Sequence, residues 1–424
     1  MNILDTPNCI SNLKESTRFR QFLGRLQNVA EKVVRQMGIM SQMEAGSMFM
    51  ARATFGYQGI KIGVIVEAVE DIEWLTEFLV PWFSISDQSP DISVRVSTSP
   101  ERFESQMKRG SAGNLLNAFM MDTNCIKFPE WNVSGHSTAM FDKKHGVFYL
   151  VSPDRIELLC AASQARIRVC LMRVLRELAM GSSQLTGGRF VHASAFVAGG
   201  KAAIITGPRN AGKTSLLSYM LATTGSQFLS NDRLLINVDD AALEARGMPT
   251  IVSIREGTMD MIPGLRRTLG KSGFSSSLTL QEAHDLGPLN EFPSREGRHG
   301  ISPRQFCTAL DCDPIQRAPA SALVFPRQTG SSGTIDMHRL EPGKVRKRLE
   351  ECLFGNIGPR RLSQAFTFTP PGLHGGCVMS DGSLLDRLAR ALPGFDCELG
   401  QEAFASDAGA ESIMRLLSGG LPQH

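Results

Sequence analysis

A chain of 424 residues exceeds one ordinary domain and can bury a large core, so two domains, with room for a third small unit, are expected. With 42% hydrophobic and 21% charged residues the composition is that of an ordinary soluble globular protein. Its 45 basic and 42 acidic side chains give a net charge of +3, too balanced for nucleic acid or a membrane surface to be the main partner. Nine cysteines without a C-x-x-C repeat argue against a disulfide scaffold or a structural zinc and for a reducing compartment. The eight histidines form no H-E-x-x-H pattern and no cluster with cysteines along the sequence, so any metal is expected to be one that accompanies a nucleotide.

The first residues lack a basic stretch followed by an apolar one, and no apolar run approaches the roughly 18 residues needed to span a bilayer, so a cytoplasmic protein is expected. Phe19, Phe22, Leu23, Leu26, Val29, Val33 and Met37 make a helical stripe over 11–43, read as core rather than as a docking face. Strands follow at 48–55 and 60–66, a helix at 71–82, a strand at 92–97 and a helix at 100–108. A β-rich stretch at 137–151 turns at Lys143-Lys144-His145-Gly146. Helical spacing resumes over 156–180 through Leu158, Leu159, Ile167, Leu171, Val174, Leu175 and Leu178. No compact chemical motif occurs in this half, which reads as an α+β domain of unassigned role over 1–185, with the remaining residues, 186–424, forming a nucleotide-binding domain.

At the head of that second part, Gly207-Pro208-Arg209-Asn210-Ala211-Gly212-Lys213-Thr214 fits the phosphate-binding pattern G-x-x-x-x-G-K-[ST]. The apolar, β-branched run before it predicts a strand, and Leu216, Leu217 and Met220 after it recur at helical spacing. That context matters because a polyphosphate needs backbone amides converging at a helix N-terminus, where the macrodipole favours negative charge. Gly207 and Gly212 have no Cβ to hold phosphate oxygens away. Lys213 would reach the β and γ phosphates of ATP and the Thr214 hydroxyl would ligate Mg2+. A glycine-rich turn followed by chance by Lys-Thr is the blander reading, which the flanking strand and helix disfavour. Upstream, His192 lies on a strand that a Gly199-Gly200 turn folds back toward the loop; downstream, Phe228-Leu229-Ser230-Asn231-Asp232 is an apolar strand interrupted by an acid.

This arrangement resembles the catalytic core of the bacterial HPr kinase/phosphorylase and its relatives, which share a P-loop with phosphoenolpyruvate carboxykinase. The resemblance runs in outline from His192 to about Leu399, is most specific from His192 to Asp232, and is weak before Leu150. It implies an α/β fold, an HPr-kinase-like P-loop core with a mixed sheet flanked by helices, behind the smaller N-terminal α+β domain. It also implies ATP and Mg2+ as cofactors, with Thr214 and Asp232 on the metal, His192 beside the catalytic acid and Arg255 near the phosphates. Asp232 would orient or deprotonate an acceptor hydroxyl. Two positions depart from the family: Asn231 stands where the first acid of an Asp-Asp pair is expected, and Ser253 where a metal-binding glutamate is expected. Asparagine cannot take a proton from a hydroxyl, although its amide can still bond one. The segment from Ala318 to Arg327 is similar to a further recurring segment of the relatives.

The stretch 263–305 is rich in Gly, Ser, Arg and Pro, with one helix near 278–284, and reads as a lid or recognition loop or as a disordered one. Arg266, Arg267, Lys271, Arg295 and Arg298 on it could meet phosphate, although solvated loop charges are commoner. Strands are expected at 322–325 and 334–338 and helices at 342–353 and 382–392, then a closing strand and helix; the basic run 344–348 reads as a solvated helix face. The expected function is an ATP-dependent kinase acting on a hydroxyl-bearing acceptor, a serine of a protein or peptide or a small-molecule alcohol. Asn231 and Ser253 keep open an ATP-binding regulatory module that transfers no phosphate, and an ATPase that uses water shares every residue with the kinase. The sequence leaves the oligomeric state open.

Overall fold

The computed structural model describes residues 50–109, 114–121, 124–134, 137–143, 145–163, 167–238, 243–261, 298–331, 333–352 and 381–417. The stripe at 11–43, the helix expected near 278–284, and Arg266, Arg267, Lys271 and Arg295 lie outside them.

The first half builds a nine-stranded mixed sheet. Strands β1 (Ala51–Tyr57) and β2 (Ile60–Val66) form a hairpin whose turn, Gln58-Gly59, carries positive φ at both residues. Helix α1 (Val69–Leu79) then runs to Leu79 rather than to 82, because Pro81 pushes the residue before it out of the helical region, and Val80 is extended. Strands β3 (Ser84–Ile85) and β4 (Ile92–Thr98), helix α2 (Pro100–Arg109), and strands β5 (Asn114–Met121), β6 (Asn124–Ser134), β7 (Ser137–Asp142), β8 (Val147–Val151) and β9 (Arg155–Cys160) complete the unit. The order is β3-β1-β2-β4-β9-β8-β7-β6-β5, with β2–β4 and β4–β9 parallel.

The expected helix over 156–180 is two elements, strand β9 and helix α3 (Ile167–Leu185). Strand β9 lies between β4 and β8, and Ile156, Leu158, Leu159 and Cys160 are all buried, so its apolar run has no period that separates strand from helix. Helix α3 is apolar over most of its surface, yet it also buries Arg173, Arg176 and Glu177.

The second half carries an eight-stranded mixed sheet of β10 (Arg189–Ala198), β11 (Lys201–Thr206), β12 (Gln227–Ser230), β13 (Arg233–Val238), β14 (Leu243–Met248), β17 (Arg317–Gln328), β18 (Ile335–Leu340) and β19 (Gly394–Leu399). The first part of the long β17 pairs with β14, while its later part pairs in parallel with both β11 and β19. The path β11-β10-β13-β14-β17 therefore closes on itself. A separate ribbon joins β15 (Val252–Arg255) to β16 (Arg298–Ile301). Around the sheet lie α4 (Lys213–Thr224), α5 (Glu256–Met261), α6 (Pro303–Ala309), α7 (Pro342–Glu350), α8 (Asp381–Ala391) and α9 (Ala408–Leu417). The far end of the expected loop 263–305 is thus ordered: Arg298 sits on β16, and α6 starts at a capping box in which Ser302 and Gln305 satisfy each other's backbone amides.

The two sheets share one hydrophobic core. It runs from Phe55 and Trp82 through α3 to Phe228, Met248, Phe306 and Ile413. Polar contacts cross the same boundary: Trp82 Nε1 donates to the Leu229 carbonyl at 2.8 Å, the Tyr57 hydroxyl to Gly247 at 3.2 Å, and Gln316 to the Trp82 carbonyl at 2.8 Å. Arg304 on α6 donates to the carbonyls of Glu77 and Val80 at the end of α1. A second cluster, with Val191, Ala195, Leu323, Phe325 and Leu385, fills the other side of the second sheet. The architecture is mixed α/β. Among the described residues no helix is long and apolar enough to cross a membrane.

Candidate functional site

The glycine loop lies between β11 and α4, at the open end of the second sheet. Its backbone takes conformations in which L side chains are rare: φ is 150° at Gly207, 70° at Asn210 and 102° at Gly212. Asparagine is among the residues that tolerate the left-handed region, and glycine takes it without steric cost. A Cβ on Gly212 would also lie 2.8 Å from Leu399 Cδ1, so a side chain there would push on β19. Pro208, Arg209 and Asn210 are exposed at the tip, and Arg255, at the end of β15, donates to the Asn210 side-chain oxygen. Ala211 and Gly212 lead into the first turn of α4, where Lys213 and Thr214 follow. The Lys213 ammonium is buried and donates to the carbonyls of Gly207 at 2.8 Å and Pro208 at 3.0 Å. Burial pulls its pKa down, and the negative charge of Asp232 opposes that shift.

His192 and Asp232 meet because β10 pairs with β13 in a register that sets His192 opposite Arg233. The Ala193 amide of β10 donates to the Asp232 carbonyl, the His192 amide donates to the Cys352 carbonyl, and Thr206 Oγ1, on the strand that feeds the loop, donates to the His192 carbonyl. His192 Nε2 lies 3.1 Å from Asp232 Oδ1, with side chains 31% and 20% exposed, open enough to be reached from solvent. Burial alone would raise the Asp232 pKa. The hydrogen bond from His192, and then the charges of His192, Arg233 and Lys213, outweigh it and bring the carboxyl down to about 2. Asp232 is therefore a carboxylate at neutral pH, and Lys213 and Asp232 are near enough to bias each other's ionisation.

Asn231 turns elsewhere. It is buried, its Oδ1 accepts from Thr250 Oγ1 at 3.0 Å, and its Nδ2 donates to the Ile251 carbonyl at 3.4 Å. Its amide pins the connection from β14 to β15. Ser253 lies on β15, opposite Gly300 in the ribbon.

Residues without a sequence signal join the site. Cys352 accepts the His192 amide at its carbonyl, and burial pushes its thiol up, against the pull of Thr206 and Lys213. Behind Asp232, Arg233 reaches Glu177 of α3. Elsewhere the fold assembles a group that spacing along the chain did not reveal, Asp142, His145 and Cys170, whose ligand atoms lie within 4.8 Å of one another. Its carboxylate is already bonded, since Asp142 Oδ2 lies 2.7 Å from His145 Nδ1, 2.9 Å from Arg173 Nη1 and 3.4 Å from the Tyr149 hydroxyl. A guanidinium on the carboxylate disfavours a cation there, so this is a buried ionic cluster of the core.

No family model matches the chain, and no curated protein matches it. Among solved structures it is similar to the HPr(Ser) kinase/phosphatase from Coxiella burnetii, at 16% identity over 36% of this chain and 77% of that one, with a TM-score of 0.19.

Proposed function

We propose that the chain is an ATP-dependent phosphotransferase with an HPr-kinase-like P-loop core, acting on a hydroxyl acceptor. The observation that carries this reading is the His192–Asp232 pair standing beside the buried Lys213 at the mouth of a glycine loop that opens a helix. The loop amides and the Lys213 ammonium bind the β and γ phosphates, with Arg255 held at the loop tip through Asn210.

The donor set fits a hard cation: the Thr214 hydroxyl and an Asp232 carboxylate that stays ionised are the oxygen ligands Mg2+ takes. When bound, Mg2+ would neutralise the charge that develops on the transferred phosphoryl group. Asp232, an ionised carboxylate whose Oδ1 lies against His192 Nε2, orients or deprotonates the acceptor hydroxyl. Positioning and charge neutralisation supply most of the rate, since a loose transition state needs little covalent help.

The test follows the γ-labelled phosphate of ATP in the presence of fractionated cell extract and Mg2+. Label moving to a hydroxyl acceptor supports the kinase, and label released as free phosphate makes the chain an ATPase. Label that stays on bound ATP with every fraction overturns transfer and leaves a nucleotide-binding regulatory module. In the same assay Asp232→Asn should keep nucleotide binding and lower transfer about a hundredfold, the usual scale for a positioned acid–base group.

A further inference from the structure

Behind Asp232 stands Arg233, a buried charge that is itself held by Glu177 from the first half of the chain. Arg233 is 3% exposed at its side chain, and its Nη1 lies 3.2 Å from Glu177 Oε1, on a glutamate that is also 3% exposed. The other side of the same guanidinium faces the site, with Nε 3.8 Å from Asp232 Oδ2, longer than a hydrogen bond. Arg233 Nη1 also contacts Met180 Sδ at 3.0 Å, so two residues of α3 hold the group. Arg176 Nη2 stands 3.9 Å from Glu177 Oε1, and its pKa is lowered to about 9, by burial first and by Arg233 next.

One buried guanidinium is thus shared between two carboxylates of unequal standing. Glu177 is enclosed and bonded, whereas Asp232 is partly open and bonded to His192 on its other oxygen. A buried arginine that loses its partner seeks the nearest carboxylate, because a desolvated charge left alone is costly. The nearest one is Asp232, and a planar guanidinium can take a carboxylate with two bonds.

We infer that Glu177 is a positioning residue of the active site: by engaging Arg233 it keeps that guanidinium from closing on Asp232, leaving the Asp232 carboxylate to His192 and to the phosphate-bound cation. The inference rests on the phosphotransferase reading of Asp232, and it places α3, outside the loop-bearing sheet, within the catalytic apparatus.

The experiment compares Glu177→Gln, Arg233→Gln and the double variant in the full chain, measuring the Mg2+ concentration that half-saturates turnover, kcat, and the affinity for ATP without metal. Glu177→Gln should raise the half-saturating Mg2+ and lower kcat each by about tenfold, the scale for removing a group behind a metal ligand, with metal-free ATP affinity unchanged. The double variant, which removes the guanidinium as well, should return the Mg2+ requirement to the native value or below it. A purely structural pair predicts the reverse, with the double variant at least as impaired as the single one. Native Mg2+ dependence in Glu177→Gln, or an effect confined to melting temperature, overturns the inference. If Glu177→Gln does not fold, the double variant decides: a raised Mg2+ requirement there overturns it too. Failure of the phosphotransferase reading shows earlier and separately, as a native chain that moves no label from Mg2+-ATP.

Discussion

Lys213 is the residue whose loss should be read most simply. Its ammonium closes the glycine loop onto its own carbonyls, and in the proposed function it exchanges those contacts for phosphate oxygens. A ligand at a hundredfold its dissociation constant stabilises a protein by about 2.7 kcal/mol, enough to move a melting curve visibly. Lys213→Ala should therefore abolish most of the thermal shift that Mg2+-ATP produces, as measured by differential scanning fluorimetry. An undiminished shift would remove the loop from the binding site. Of the other residues, Asn231 shows how much a side chain's direction matters: the sequence marks it as a lost acid, and the fold turns its amide to Thr250 and Ile251.

At the scale of elements, α3 carries two buried charged contacts one turn apart, Arg173 to Asp142 of the first sheet and Glu177 to Arg233 of the second. The first can be tested as a stability element. Burial raises the Asp142 pKa, and His145 and Arg173 more than offset that and leave it lowered. Breaking such a pair from one side costs about 3 to 5 kcal/mol, so Asp142→Asn should lose on that order in urea denaturation at neutral pH. The sign of the pH dependence follows from the lowered folded value. The contribution of Asp142 is full above the unfolded carboxyl value near 3.9 and is lost as pH falls through the folded one. The difference between native protein and Asp142→Asn should accordingly shrink below about pH 4. A difference that holds constant into acid would mean that the carboxylate charge is not what stabilises.

Across the whole molecule, the two sheets meet where there is no room for a side chain. A Cβ on Gly247 would lie 2.0 Å from the Leu229 carbonyl and 2.6 Å from the Trp82 ring, and Trp82 itself is bonded to that carbonyl. Gly247→Ala should cost about 3 kcal/mol, the upper part of the range for overpacking. Because the core is continuous across this contact, the loss should appear as one transition shifted as a whole. Tryptophan fluorescence checks this, since Trp74, Trp82 and Trp131 all lie in the first half, while far-ultraviolet circular dichroism reports both. Two separated transitions would mean that the halves unfold independently.

The sequence by itself determined whatever depends on neighbours along the chain. The strand, glycine loop and helix around Gly207–Thr214 carry their own punctuation, as do β2, β4, α2 and the Gly199-Gly200 turn, because steric limits on φ and side-chain period act locally. Strand β9 was not legible as a strand, since an apolar run buried all round loses its period, and the end of α1 was misplaced by the reach of Pro81. Only the tertiary structure decided which residues stand together. The register of β10 on β13 brings His192 to Asp232, a meeting the family resemblance had implied, and the docking of α3 brings Glu177 behind Arg233, which nothing in the sequence had implied. Those meetings follow from which surfaces bury one another, a long-range choice made by the core as a whole, and no spacing in the sequence encodes it.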